Sequence, residues 1–554
     1  MRGFLAAGLA MFASVEATAQ ASRFSTEGLS RHVEALASPS FEGRAPGTEG
    51  ERRTIDYIVQ AFHDAGLQPG AEQDHDGKRG WLQKVPIEEF TIEGTPRLLM
   101  HLGGASRSLT QQKDIALASR SEAKRIALKD APLVFVGFGI DAPEKRWDDF
   151  KGIDLHGKIA LVLINDPDHD RDMGGRFAGP TMTYYGRWDY KLAELSRQGA
   201  LGVLIIHEQP AALADWDGMA HFFTLPQLDL QRSARTLRNC EIEGWITAEL
   251  ARDIFRSAGR DYDSDKRSAA SPDFRPVTLR NTSFSASFEL RHRTFESHNV
   301  VGRIEGGKRS DEAVILSAHW DHLGIADPDA SGDTVYHGAQ DNAAGVAGLI
   351  ELARVLAKEP KSPRTITFLA LTGEEKGLLG ASYYALHPAT RLDRTVADIN
   401  LDAPDMKGPT HDISLWGIGK SSLESEVAEM AQHAGRHFAI NPRFSAGYYF
   451  RADHFAFARA GVPAVTFGSG IDLIEGGPEA GKAAEADYYD HIYHTPADRW
   501  SKQLDFSGFA SDLELVADLA RNLSGDMPFP TFASDSDYRT AQDRLRRGPT
   551  AAQP

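Results

Sequence analysis

The sequence predicts an α/β fold: a mostly parallel, mixed sheet sandwiched by helices, with a β-rich module inserted into it. Three observations predict it. Apolar runs at 314–318, 365–371, 397–401 and 464–467 have the length and composition of strands buried on both faces. Helical stretches lie between some of these runs, and strands alternating with helices imply a parallel sheet covered on both sides. Between 98 and 284 the texture changes to short strand candidates separated by Gly, Pro and Asp, with no evident catalytic cluster.

Residues 1–21 read as an export signal. Met1-Arg2 gives a positive start, Phe4 to Val15 a short apolar stretch, and Ala17-Thr18-Ala19 or Ala19-Gln20-Ala21 a small-residue cleavage site. The stretch is too short to span a bilayer comfortably, and no later run reaches that length. The mature chain is therefore expected to be exported, periplasmic or secreted, and free of the membrane. From 22 to 97 a loop, Phe41-Glu42-Gly43-Arg44-Ala45-Pro46-Gly47-Thr48, precedes an amphipathic helix. Ile55, Ile58, Val59 and Phe62 share one face of it, and Gly66 ends it. Residues 85–92 then alternate like a strand.

Within 98–284 the strand candidates include 133–136, 159–164 and 202–206, with a helix over 190–198. The acidic run from Asp166 to Asp172 reads as a solvated loop, because no metal-loop spacing accompanies it. The main α/β portion spans 285–525. Its clearest helix carries Val346, Leu349, Ile350, Ala353 and Leu356 as a stripe and stops before Pro360. The polar tail, 526–554, with Arg544, Arg546 and Arg547, is expected to be disordered.

Composition narrows the function. Lys+Arg 61 against Asp+Glu 78 gives a formal charge of −17, which lacks the basic footprint of nucleic-acid binding and disfavours anionic membranes. Cys240 is the one cysteine, which excludes an intramolecular disulfide and a thiolate metal cluster, and leaves it the role of a small apolar filler.

Ligands of open α/β sheets bind beyond the carboxyl ends of the strands. His319-Trp320-Asp321-His322 follows the first apolar run, and Thr372-Gly373-Glu374-Glu375 follows the second. Asp402 follows the third, Asp341-Asn342 opens the striped helix, and His494 stands in Tyr493-His494-Thr495-Pro496. Imidazoles mixed with carboxylates suit zinc. Five such donors exceed the usual protein share of one zinc ion but fit two ions that share a carboxylate. Of the neighbours Glu374 and Glu375, one can bind metal while the other accepts a proton from water.

These segments resemble the co-catalytic zinc exopeptidases of the aminopeptidase S and aminopeptidase Y type, relatives of glutamate carboxypeptidase and the transferrin receptor. The resemblance rests on Ser317-Ala318-His319-Trp320-Asp321, Asp341-Asn342-Ala343-Ala344-Gly345, Gly373-Glu374-Glu375-Lys376-Gly377, Asn400-Leu401-Asp402 and Tyr493-His494-Thr495, in family order and spacing. It implies two zinc ions bridged by Asp341, with His319 and Asp402 completing one site and Glu375 and His494 the other; Co2+ or Mn2+ are alternatives. It further implies Glu374 as general base, Asp321 as the group orienting His319, Tyr493 as a donor to the oxyanion, and a cis Asp341–Asn342 peptide. The segment 98–284 resembles a protease-associated domain, through Tyr185-Gly186-Arg187-Trp188 and the run 199–206.

The remaining histidines near the motifs, His322, His337, His454 and His491, fall outside a full ligand set and are expected to be structural or to touch substrate. The run 327–332 only partly mimics a calcium loop, since its twelfth position is Gly338. Three functions stay open: an aminopeptidase; a carboxypeptidase or dipeptidase on acidic peptides; and a binding protein on an inactive scaffold. A carboxypeptidase needs Arg or Lys for the free carboxylate; Arg451 is one candidate, an internal ion pair being its alternative role. The intact ligand set with Glu374 speaks for an enzyme acting on peptides.

Overall fold

The computed structural model describes residues 22–547, apart from 74–75, 171–174, 178, 213–214, 232–238, 327, 330 and 417–418. The segment read as an export signal lies outside the described residues. Among those described, no helix is long and apolar enough to cross a membrane.

One sheet of sixteen strands organises the chain. At one end, Arg309–His319 lies between Arg364–Leu371 and Thr395–Leu401, parallel to both, and Ala464–Ser469 extends the set. Asp412–Trp416 follows antiparallel, and the short strand His437–Phe438 forms the edge. Successive side chains of the Arg309–His319 strand enter different cores. Val314, Leu316 and Ala318 pack with helices Thr26–Leu36, Glu49–Asp64, Gly345–Leu356 and Ser507–Ser524, whereas Ile315 packs with Tyr384 and Phe457 on the opposite face. Burial on both faces explains why these strands are apolar throughout instead of alternating.

The two long strands Leu82–Leu102 and Val277–Ile304 form an antiparallel ribbon, paired from Leu82 opposite Val300 to Leu102 opposite Thr282 with one register shift between Ser287 and Glu289. The second strand pairs with Arg364–Leu371 through Val300 to Ile304 and with Arg125–Phe135 through Val277 to Glu289. The boundaries read at 97/98 and 284/285 therefore fall inside continuous strands. The composition changes there, but the hydrogen-bond ladder does not.

The inserted segment is rich in strands, as its texture predicts, and carries helices as well. Arg125–Phe135, Ile159–Leu163, Gly202–His207 and Ile242–Thr247 are parallel neighbours. Helices Trp188–Arg197, Trp216–Thr224, Ala248–Ser257 and Tyr262–Ala269 accompany them. The insert is a small α/β layer of its own. Cys240 is buried there, its Sγ 3.2 Å from the Ala200 carbonyl. The acidic run is not a solvated loop where it is described: Asp166 and Asp168 are buried. Asp166 accepts bonds from the Thr183 amide and hydroxyl at 3.0 and 2.8 Å, and Asp168 from the Phe177 amide at 3.0 Å. These carboxylates tie down backbone, a role their spacing does not reveal.

The tail is a second correction. Residues 526–547 pack on the domain and end in the helix Arg539–Arg547. Phe532 and Tyr538 are buried among Tyr449, Phe450 and Phe455, and Arg546 donates to the carbonyls of Asp393 and Thr395 at 2.6 and 2.9 Å. Its few apolar residues are too sparse to announce a core contact in the sequence. Removal of residues 526–554 should cost at least about 3 kcal/mol, the order of one deleted buried aromatic, and should lower the midpoint of thermal unfolding.

Candidate metal centre

Three parallel strands deliver the first groups. His319 is the last residue of Arg309–His319, Asp402 immediately follows Thr395–Leu401, and Glu374 and Glu375 follow Arg364–Leu371 after a short turn. Because the strands run the same way, all these residues emerge at one edge. Asp341 reaches that edge from the π-helical turn Ala339–Ala344, which leads into Gly345–Leu356. The Asp341–Asn342 peptide is cis, as the resemblance implies. His494 arrives from the turn after Tyr488–Ile492 with a left-handed backbone, φ 57°.

The two oxygens of Asp341 face different partners. Oδ1 lies 3.2 Å from His319 Nε2, which is itself 3.3 Å from Asp402 Oδ1. Oδ2 lies 3.1 Å from His494 Nε2, which is 3.1 Å from Glu375 Oε2. Donors bound about 2.0–2.1 Å from a tetrahedral zinc ion are separated by roughly 3.3 Å, so each cluster has the dimensions of such a shell. Ligand atoms of His319, Asp341 and Glu375 also lie within 4.8 Å of one another, which ties the two clusters together. All five predicted donors thus converge, in two groups that share one carboxylate.

The charge balance calls for cations. Asp341, Glu375 and Asp402 are buried, and Asp453 nearby has neither carboxylate oxygen hydrogen-bonded among the described residues. Burial disfavours charge on Asp341, yet hydrogen bonds from His319 and His494 hold it well below the usual carboxylate range. Burial likewise opposes a charge on His494, but Glu375 and Asp341 raise it to about 10. Glu374 is pushed well above its ordinary value, by burial first and then by Asp402, Glu375 and Asp453, against the opposing pull of His319. Two divalent ions fit this donor set and would relieve the concentration of negative charge.

The supporting contacts refine the sequence reading. His319 Nδ1 lies 3.1 Å from the main-chain oxygen of Asp321, which can only accept; this places the proton on Nδ1 and leaves Nε2 free to bind. The Asp321 carboxylate, 3.8 Å from that ring, instead accepts the Glu374 amide at 3.1 Å. Its carboxylate therefore positions Glu374 more directly than the histidine. His322 Nδ1 sits 2.6 Å from Glu375 Oε1 and so directs Oε2 inward. Tyr493 stacks on His494, centroids 3.8 Å apart, and lines the same cavity as Asp341, Glu374 and Asp402.

His337 is held by the Ala37 carbonyl and Asp333, His454 by Thr466, and exposed His491 by Asp487; all three have structural partners. Two residues carry roles that no motif signalled. Asp498 receives the amides of Gln340 and Asp341 at 2.9 and 3.0 Å. Arg44, fully buried, donates to the carbonyls of Leu36, Trp320, His337 and Gly338 at 2.7 to 2.9 Å. Its position in the Phe41–Thr48 loop was the available hint.

The sequence of peptidase family M28 matches residues 299–520, a span that includes all eight predicted site residues. Residues 299–520 thus resemble a peptidase family M28 domain. The chain is 36% identical over 133 residues to a probable zinc metalloprotease of Pyrenophora tritici-repentis, covering 23% of the chain and 30% of that protein. Over 207 residues the chain is 29% identical to aminopeptidase YwaD of Bacillus subtilis, 36% of the chain and 39% of the relative. The chain thus spans about a third of the length of these curated relatives. Its fold is similar to that of an aminopeptidase from Aneurinibacillus sp. strain AM-1, with a TM-score of 0.52, 19% identity, and 92% and 96% of the two chains covered.

Replacing Arg44 by Met would leave the buried carbonyls of Leu36, Trp320, His337 and Gly338 without this donor. The expected cost is at least about 3 kcal/mol, with a parallel loss of bound metal, readable by denaturant titration and elemental analysis.

Proposed function

We propose that the chain is an exported dinuclear zinc exopeptidase, an aminopeptidase by preference, in which Glu374 moves the proton that peptide hydrolysis requires. The observation that carries the reading is the division of Asp341 between two imidazole–carboxylate pairs. The names of the relatives, zinc metalloprotease and aminopeptidase, support the metal and the terminal cleavage. The composition of residues 1–21 supports export.

Zinc held by these donors would bring the pKa of water towards neutrality and polarise the scissile carbonyl. Glu374, fixed through its amide by Asp321, fronts the cavity that Asp341 and Asp402 line. Its carboxylate accepts the proton of the attacking water and returns it to the departing amine, which cannot leave as an anion. Tyr493 supplies a hydroxyl on the wall that carries His494, where the carbonyl oxygen gains charge. A second reading, carboxypeptidase or dipeptidase, draws on Arg451 facing the same cavity.

The deciding assay sets amino-acid p-nitroanilides beside N-blocked dipeptides, with and without a chelator and added zinc. Hydrolysis of the former that a chelator abolishes and zinc restores is expected; exclusive cleavage of blocked dipeptides would reverse the polarity. Glu374→Gln should retain close to two zinc ions per chain and lose about 10²–10⁴ in kcat. Near-normal turnover in that variant would remove Glu374 from the chemistry. Asp341→Ala should fail to hold zinc, measured as metal per chain after gel filtration.

A further inference from the structure

The cavity in front of the metal centre has two unlike walls. Asp341, Glu374 and Asp402 form one, and Trp416, Tyr448 and Tyr489 frame the other.

Arg451 is the single cation among the residues that line this space. It follows the turn Tyr448–Phe450, with its guanidinium carbon 4.9 Å from the Tyr448 ring centroid. Stacking occupies the face of a guanidinium and leaves its edge N–H donors uncommitted. Those donors make no ion pair and no side-chain hydrogen bond among the described residues. The contrast with nearby Arg443 is direct: it also stacks on a tyrosine, Tyr489, but has Glu485 at 3.6 Å. The internal ion pair considered for Arg451 from the sequence is therefore not found among the described residues; neighbouring Asp453 and His454 are buried and make no hydrogen bond to it. Burial opposes its charge and the neighbouring tyrosines and Glu374 favour it; a guanidinium stays a cation in a protein.

A charged planar fork with free edge donors, in an aromatic-walled cavity, matches a carboxylate, which takes two parallel N–H bonds. A neutral carbonyl offers a single oxygen and no charge. We infer that Arg451 receives a carboxylate of the substrate, making this enzyme selective for peptides that carry one beside the scissile bond. That carboxylate is either the acidic side chain of the terminal residue or the free carboxyl end of a short peptide. The catalytic consequence rests on the peptidase reading above; the binding itself does not.

The experiment compares wild type, Arg451→Leu and Arg451→Lys, each with zinc content and thermal midpoint recorded. One arm uses Glu- against Gln-p-nitroanilide, which differ only in the side-chain carboxylate; the other uses Leu-Gly against Leu-Gly amide, which differ only at the carboxyl end. In one arm the wild type should favour the carboxylate partner about 10- to 100-fold in kcat/KM, mainly through KM, the loss expected of one charge-assisted pair. Arg451→Leu should bring that ratio close to one, and Arg451→Lys, charged but not forked, should fall between. A wild-type ratio near one in both arms overturns the inference. So does an equal loss on both members of each pair in Arg451→Leu, which would make Arg451 a contact to the scissile carbonyl of any substrate. If Arg451→Leu does not fold, the Arg451→Lys ratio decides. Calorimetry with glutamate against glutamine and leucine against leucinamide reads carboxylate binding without turnover. Absence of chelator-sensitive hydrolysis on all four substrates would therefore sink the peptidase reading while these pairs still judge Arg451.

Discussion

The carboxylate of Asp341, buried between two imidazoles, is the interaction on which the rest of the structure depends. Each of its oxygens closes a separate group of donors, His319 with Asp402 and His494 with Glu375. Buried like charges are tolerated only where opposite charge or hydrogen bonds offset their lost hydration. Gathering Asp341, Glu375 and Asp402 without cations would be costly, and that cost is what gives the site its appetite for metal. The same crowding separates the glutamates: Glu375 is tied to His494 and His322, while Glu374 is left facing the cavity.

Holding these groups in place falls to backbone contacts well away from any ion. Asp498 fixes the adjacent amides of Gln340 and Asp341 in the turn that presents Asp341, and Asn342 bonds to Leu401 and Ala403 beside Asp402. Arg44 clasps carbonyls from the segment after His319 and from the loop before Asp341. A rigid parallel sheet supplies the common frame, and the long ribbon Leu82–Leu102 with Val277–Ile304 joins it to the inserted layer by continuous hydrogen bonding. A cleft wall built on strand ends keeps ligand positions to a few tenths of an ångström more readily than one built on loops alone.

Legibility followed the range of the interactions. The strands before His319, Glu374 and Asp402 could be read because burial on both faces demands unbroken apolar runs. The helix after Asp341 could be read because its stripe repeats at helical spacing. The role of Asp321 was less legible: whether its carboxylate or its carbonyl meets His319 depends on a turn geometry that residue types do not encode. The buried aspartates 166 and 168 and the packed tail were misread for a related reason. Polar residues that serve backbone groups far along the chain look like surface until the partners are known.

The sequence by itself determined the chemistry: which donors exist, that they follow parallel strands, and that their softness suits zinc, since side-chain type and local periodicity are written residue by residue. Only the tertiary structure decided how Asp341 divides its oxygens, that Asp498 and Arg44 hold the turn, and that Arg451 is a cation facing the cavity without a carboxylate partner among the described residues. Those facts depend on contacts between segments tens to hundreds of residues apart, whose distances are fixed by packing and not by any spacing along the chain.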